Sequence, residues 1–138
     1  MRQASETITI ETGGKGIVEF TERLCEFVAA SGIDTGLLTA FCRHTSASLL
    51  ITENAAGAVK RDLARWLEQV APEGPHYEHD CEGPDDMPAH LKQVLTGTTL
   101  SIPVARGAPA LGTWQGVFLA EHRAAPHRRE IALHLLGE

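Results

Sequence analysis

The chain alternates apolar and polar side chains with a period of two near both ends and carries helical periods in its middle. That distribution constrains the fold more than any single motif. Residues 6–11, ETITIE, put Ile8 and Ile10 on one side of an extended strand. After the turn at Gly13-Gly14, residues 16–20 read as a second short strand. The C-terminal third predicts strands over Thr98–Val104, Thr113–His122 and Arg129–Leu136, with ARGAPALG a connection suited to a hairpin. His134 lies between Leu133 and Leu135 and so faces away from them. Between these regions, a helix is predicted from Thr21, a good cap type, to Ser31, with Leu24, Phe27 and Val28 at helical spacing and Gly32 as its stop. Residues 36–43 are mostly apolar, as in a buried strand, and a further strand ends at Glu53-Asn54. With Asn54 as cap, residues 55–70 place Val59, Leu63, Trp66, Leu67 and Val70 on one buried stripe. A shorter helix, 88–96, has Pro88 in its first turn, Gly97 at its end and Leu91, Val94 and Leu95 as its inward face. Strands at both ends with helices between them predict an α+β fold with a largely antiparallel sheet.

At 138 residues the chain fits one domain, residues 1–138, with a core that needs no staples. A net charge of −6 with scattered basic residues argues against phosphate-backbone binding, so no nucleic acid partner is expected. The three cysteines, Cys25, Cys42 and Cys81, are far apart and form no CxxC pair, which fits reduced thiols in a cytoplasmic protein. The start MRQASETITI lacks a signal-peptide core, and no segment nears the roughly 20 apolar residues of a membrane helix. No membrane partner is expected.

The polar loop between Ala71 and Pro88 is long for a compact domain, and loops of that length tend to be functional. His79 lies in it and His90 opens the next helix, while His44 ends a buried strand and is followed by Thr45 and Ser46. If that strand neighbours the one ending at Glu53-Asn54, their ends converge. Imidazoles from three segments plus a carboxylate are the makings of a metal site with an open position. The acidic residues Asp80, Glu82, Asp85 and Asp86 are candidates for Mg²⁺ but equally for a solvated loop. Helix N-terminal amides near Pro88, with Lys92, Arg128 and Arg129, are candidates for phosphate. No nucleophile elbow, Walker loop or dinucleotide fingerprint is present. The stretch Leu111–Gly116, LGTWQG, sets Trp114 and Gln115 between glycines, where close backbone approach or a bulge is expected.

Taken in order, HTSASLLITEN, YEHD, AHLKQVLTGTTLSIPV, LGTWQGVFLAEH, PHRR and LLGE resemble the YjbQ-type family of secondary thiamine-phosphate synthases. The resemblance spans nearly the whole chain, and GTWQG is its most specific part. It implies an α+β sandwich that assembles as a homotrimer. It also brings His44, Thr45, Ser46, Glu53, Asn54, His79, His90, Trp114, Gln115, Glu121 and Arg128 into the site, with His44, His79 and His90 as ligands of a divalent metal, zinc or magnesium. The chain departs from the family pattern at Asp86, where asparagine is common, at Met87-Pro88, and at His122-Arg123, which replaces a usual aspartate. Those departures put a ligand role for Asp86 in doubt and place His122-Arg123 on the rim.

The implied reaction joins a pyrimidine diphosphate to a thiazole phosphate with release of pyrophosphate. Its catalytic residues would be His44, Glu53, His90 and Glu121. Trp114 would stack on a ring, Lys92 and Arg128 would offset phosphate charge, and Thr45, Ser46, Asn54 and Gln115 would complete the substrate contacts. Metal-assisted hydrolysis, with zinc on the histidines and Glu53 or Glu121 as base, is the alternative enzyme. A non-catalytic trimeric binder of a small molecule is the third reading.

Overall fold

The computed structural model describes residues 1–138. Its elements in chain order are β1 (Arg2–Glu11), β2 (Gly16–Glu19), α1 (Thr21–Ser31), β3 (Gly36–Cys42), β4 (Ala47–Glu53), α2 (Gly57–Val70), α3 (Asp86–Thr96), β5 (Thr99–Ala105), β6 (Ala108–Pro109), β7 (Gln115–Glu121) and β8 (Arg128–Gly137). They form two antiparallel sheets, one in the order β1-β8-β3-β5-β6 and the other β2-β7-β4. The α+β class and the antiparallel pairing read from the alternation are therefore what the chain adopts.

The two long terminal strands pair along their whole length, from Arg2 opposite Gly137 to Glu11 opposite Arg128. That pairing is why β1 begins four residues earlier than the 6–11 pattern. Along β8 the alternation buries Arg129, Ile131, Leu133 and Leu135 and turns His134 outward, where its Nε2 meets Gln3 Oε1 at 3.0 Å. Inward residues of both sheets, among them Leu38, Ala40 and Ile131 from the larger and Leu49, Val117 and Leu119 from the smaller, meet in one core with Leu24, Phe27 and Val28 of α1.

Several local expectations are corrected. β3 and β4 lie in different sheets, because residues 43–46 carry the chain across the core instead of turning back beside β3. The segment ARGAPALG pairs β6 back onto β5, and the chain then leaves that sheet, so β5 and β7 form no hairpin. Helix α2 starts at Gly57, and the carboxylate of Glu53, not Asn54, accepts from the N–H groups of Ala55 and Ala56 at 3.2 and 3.1 Å. Of the predicted stripe on α2 only Leu67 is buried. Helix α3 starts two residues early and buries Asp86, Pro88, Ala89 and Lys92, leaving Leu91, Val94 and Leu95 exposed. Its buried face mixes Asp86 and Lys92 with Pro88 and Ala89.

Candidate functional site

Because α3 starts at Asp86, the spacing DMPAH puts Asp86 and His90 one turn apart on the same helical face. The loop before α3 brings His79 to the same point. Asp86 Oδ2 lies 2.8 Å from His79 Nε2 and 3.0 Å from His90 Nε2, and the three candidate ligand atoms fall within 4.8 Å of one another. The other ring nitrogen of His90, Nδ1, is 2.7 Å from the carbonyl of Thr45. A carbonyl only accepts, so Nδ1 carries the proton, and in the neutral ring Nε2 turns a lone pair toward a carboxylate.

Asp86 stays charged. Burial works against its ionisation, but the hydrogen bond to His79 and the charges of His90 and Arg123 outweigh it and hold the carboxyl below its usual range. Arg123 anchors the arrangement, donating from Nη1 to Asp86 Oδ1 at 2.8 Å, from Nε to Asp85 Oδ2 at 2.9 Å and from Nη2 to the Glu82 carbonyl at 2.9 Å. Burial opposes the Asp85 charge too, yet Arg123 and the Ala124 N–H pull that carboxyl down to about 2.

Behind this cluster lies a second layer. Arg129 pairs with the fully buried carboxylate of Glu121 and donates from Nη2 to Ser46 Oγ at 2.9 Å. Glu121 Oε1 also accepts from Thr12 Oγ1 at 2.7 Å, and its Oε2 accepts from the Arg123 N–H at 3.1 Å. The buried carboxylate is opposed by desolvation, and Arg129, Thr12 and the Arg123 N–H together keep it below the usual range. His44 stands next to Thr45 in the chain, and its Nε2 accepts from the Glu130 N–H at 2.7 Å. Burial and the nearby Arg129 push its pKa down, so it is a neutral ring with the proton on Nδ1.

The residues named from sequence thus divide. His79 and His90 come together; His44 flanks them but is tied to Glu130, and Asp86 takes the third ligand position instead. Thr45, Ser46 and Glu121 lie at this same end of the small sheet, holding His90 and Arg129. Glu53, Asn54, Trp114 and Gln115 stand at the opposite end, since β4 and β7 pair Ala47 with Glu121 at one end and Glu53 with Gln115 at the other. Six residue steps at about 3.3 Å put the two groups about 20 Å apart. The expected convergence of His44 with Glu53 fails because β4 runs its length between them. Arg128 is an exposed residue, 3.6 Å from Glu11. Lys92 points off another face of α3 and binds Glu68.

At the far end the polar groups close turns. Gln115 Oε1 accepts from the Gly112 N–H at 2.8 Å, and Glu19 Oε2 accepts from Thr21 Oγ1 at 2.8 Å and Asn54 Nδ2 at 3.1 Å. A Cβ on Gly116 would lie 2.9 Å from Asn54 Cβ and 3.0 Å from the Phe118 ring as well as 2.6 Å from Glu19 Oε2, a crowding that favours glycine there. Trp114 projects outward, 65% exposed.

Three participants were named from sequence in other roles, Asp86 in an acidic Mg²⁺ candidate, Arg129 as a phosphate candidate and Arg123 on the rim, and their place in this cluster was missed. Asp86 was detectable from its one-turn spacing to His90, but a helix start placed at Pro88 hid it. Arg129 was detectable from the β8 alternation, which puts it in register with Ile131. Arg123 had no local signal, because its partners lie about 40 residues away. The donor set itself, two imidazole nitrogens and one charged carboxylate with His90 oriented by a backbone carbonyl, fits a zinc-class divalent ion better than magnesium.

Two packed antiparallel sheets with three helices and a His–Asp–His cluster at one end of the smaller sheet define a class of small α+β protein. The chain belongs to the YjbQ family: the sequence model for UPF0047 protein YjbQ-like matches residues 6–138. A UPF0047 protein of Synechocystis is 51% identical over 99% of this chain and 94% of its own. The UPF0047 protein YjbQ of Escherichia coli O157:H7 is 39% identical over 96% of this chain and 97% of its own. A solved YjbQ/UPF0047 protein from Clostridium acetobutylicum superposes with a TM-score of 0.88 at 31% identity, covering 95% of this chain and 99% of that one. These relatives carry the family and the fold, and none of their names states an activity. No helix of the chain is long and apolar enough to cross a membrane.

Proposed function

We propose that the chain is a metal-dependent hydrolase of a small-molecule substrate, with His79, Asp86 and His90 holding a zinc-class ion. The observation that carries this reading is convergence: with its Nδ1 held at the Thr45 carbonyl, His90 turns Nε2 to the same Asp86 carboxylate that His79 Nε2 meets, so that three ligand atoms lie within 4.8 Å of one another. A zinc ion held there supplies a water acidified to near neutrality. The protein's own part is to keep Asp86 charged through Arg123, to fix the His90 tautomer, and to present the Nδ1–H of neutral His44 as a hydrogen-bond donor for substrate oxygen. Glu121 serves as a positioning residue for Arg129 and Arg123 in place of the base suggested by sequence, since both its oxygens are engaged. The test is hydrolysis of 4-nitrophenyl acetate and 4-nitrophenyl phosphate with and without chelator. We expect loss of about 100-fold or more on chelation and in His90→Ala, restored in the wild type by zinc. Turnover unchanged by both treatments would contradict the proposal.

The exposed indole of Trp114 favours a second reading, the thiamine-phosphate synthase activity that the family resemblance implies. An unpartnered flat face beside Gln115 is a stacking surface for a pyrimidine or thiazole ring. In one chain that surface is about 20 Å from His90, so this reading needs a neighbouring subunit to bring the two together. The exposed Leu91, Val94 and Leu95 on α3 support self-association, for which we propose a homotrimer. Thiamine-phosphate formation with Mg²⁺, lost in His44→Ala and His90→Ala and in Trp114→Ala, would favour it; sedimentation as a monomer would exclude the shared-site form.

A further inference from the structure

The cleft between α2 and the β2–β7 edge is lined by Lys15, Ile17, Ala64, Leu67, Lys92 and His122 among others, with a volume of about 210 Å³. Drug-sized ligands occupy roughly 300–1,000 Å³, so this cleft suits a fragment-sized one. Its walls are largely apolar, from Ile17, Ala64, Leu67 and Ala120.

The charges at its edge are unusual. The Lys92 side chain is 2% exposed, yet its one acidic partner is Glu68, 46% exposed, at 2.5 Å. Lys15 also reaches Glu68, at 3.3 Å, and Glu73 at 3.1 Å. Glu68 belongs to α2, whose only buried residue is Leu67. A buried ammonium with three donors is thus satisfied by a carboxylate from a thinly attached helix.

His122 adds a directional group. Thr96 Oγ1 lies 2.7 Å from the Lys92 carbonyl and within bonding distance of Ser48 Oγ, which is 2.8 Å from His122 Nε2. The carbonyl takes the Thr96 proton, so Ser48 donates to Thr96 and His122 Nε2–H donates to Ser48. The Nδ1 of His122 is then an acceptor without a protein partner. No sealed side-chain polar atom of the structure lacks a partner, so this nitrogen meets open space. His122 is only 3% exposed to the outside and lines the cleft.

We propose that this cleft binds a small monocarboxylic acid with an apolar body and an N–H or O–H donor. The ligand carboxylate replaces that of Glu68 at Lys92 and Lys15, the body lies against Ile17, Leu67 and Ala120, and the donor meets His122 Nδ1. A monocarboxylate adds one negative charge beside the displaced Glu68 and Glu73, whereas a phosphate dianion adds two and meets twice the repulsion. The site is separate from His79, Asp86 and His90: Lys92 and His90 are two residues apart on α3, about 200° around its axis.

The probe is 4-hydroxybenzoate, titrated into the 138-residue protein and followed through backbone amide NMR shifts. Saturable shifts are expected at Ile17, Leu67, Ala120 and His122, with the neutral 4-hydroxybenzamide binding about tenfold more weakly or worse. Glu68→Gln, which weakens the competing carboxylate, is expected to tighten binding by about threefold or more. Ala64→Phe, at an exposed position on the cleft wall, is expected to abolish the shifts while leaving the rest of the spectrum in place. Equal binding of acid and amide, shifts elsewhere on the protein, retained binding in folded Ala64→Phe, or displacement by inorganic phosphate at equal concentration would each overturn the proposal.

Discussion

The two ends of the small sheet are built from similar residue types and do different things. At the Glu121 end, charged and imidazole groups from four separate stretches of chain converge on one another, with Asp86, Glu121 and Arg129 buried and the histidines partly open. At the Gln115 end, Glu53, Asn54 and Gln115 complete a helix start and two turns, and Trp114 stands in solvent. Residue type alone does not mark a reactive centre. Burial against charge is costly, and where a chain pays that cost with converging partners, the arrangement is worth testing as chemistry.

The largest effect is expected from removing one partner of the buried pair. Arg129→Met leaves Glu121 charged and enclosed, and a loss of about 3–5 kcal/mol is expected in urea unfolding. A loss below about 1 kcal/mol would mean the network is loosely held. Next in size is the response to acid. His122 is held down to about 4 by burial, with Lys92 adding to the effect, against about 6.5 when unfolded. Between those values the unfolded chain binds the extra proton, so stability falls as pH drops from about 6.5 toward 4, by about 3 kcal/mol. His44 is shifted in the same direction and adds to the slope. Unfolding midpoints measured across that window check the sign, and His122→Asn should flatten the dependence. The far end gives smaller effects. Glu53→Ala removes an acceptor for the Ala55 and Ala56 N–H groups and is expected to cost about 1 kcal/mol. Trp114→Ala at an exposed position should change stability by no more than about 0.5 kcal/mol; a larger loss would show that the indole is packed in the working assembly.

What the sequence disclosed follows from which signals are local. The α+β class, the outward His134 and the core of α1 were legible because alternation and helical spacing act within a few residues. The stripe on α2 misled, since periodicity says which residues share a face but not whether anything covers it. On α3 the error was larger: Leu91, Val94 and Leu95 are open, while Asp86 and Lys92 are buried beside Pro88 and Ala89. Convergence of His44 and Glu53 was read from an assumed neighbouring of β3 and β4, and strand order is a long-range property that neither strand encodes alone. Arg123 shows the same limit, for its partners lie at the start of α3 and in the loop before it.

A metal ion is expected at the Glu121 end alone. Zinc content by mass spectrometry of untagged protein, equilibrated with zinc and then desalted, tests it in the wild type, Asp86→Ala and Glu53→Ala. About one ion per chain is expected in the wild type and in Glu53→Ala, and less than about a tenth in Asp86→Ala. Equal content in all three folded proteins, or none in any of them, would contradict it.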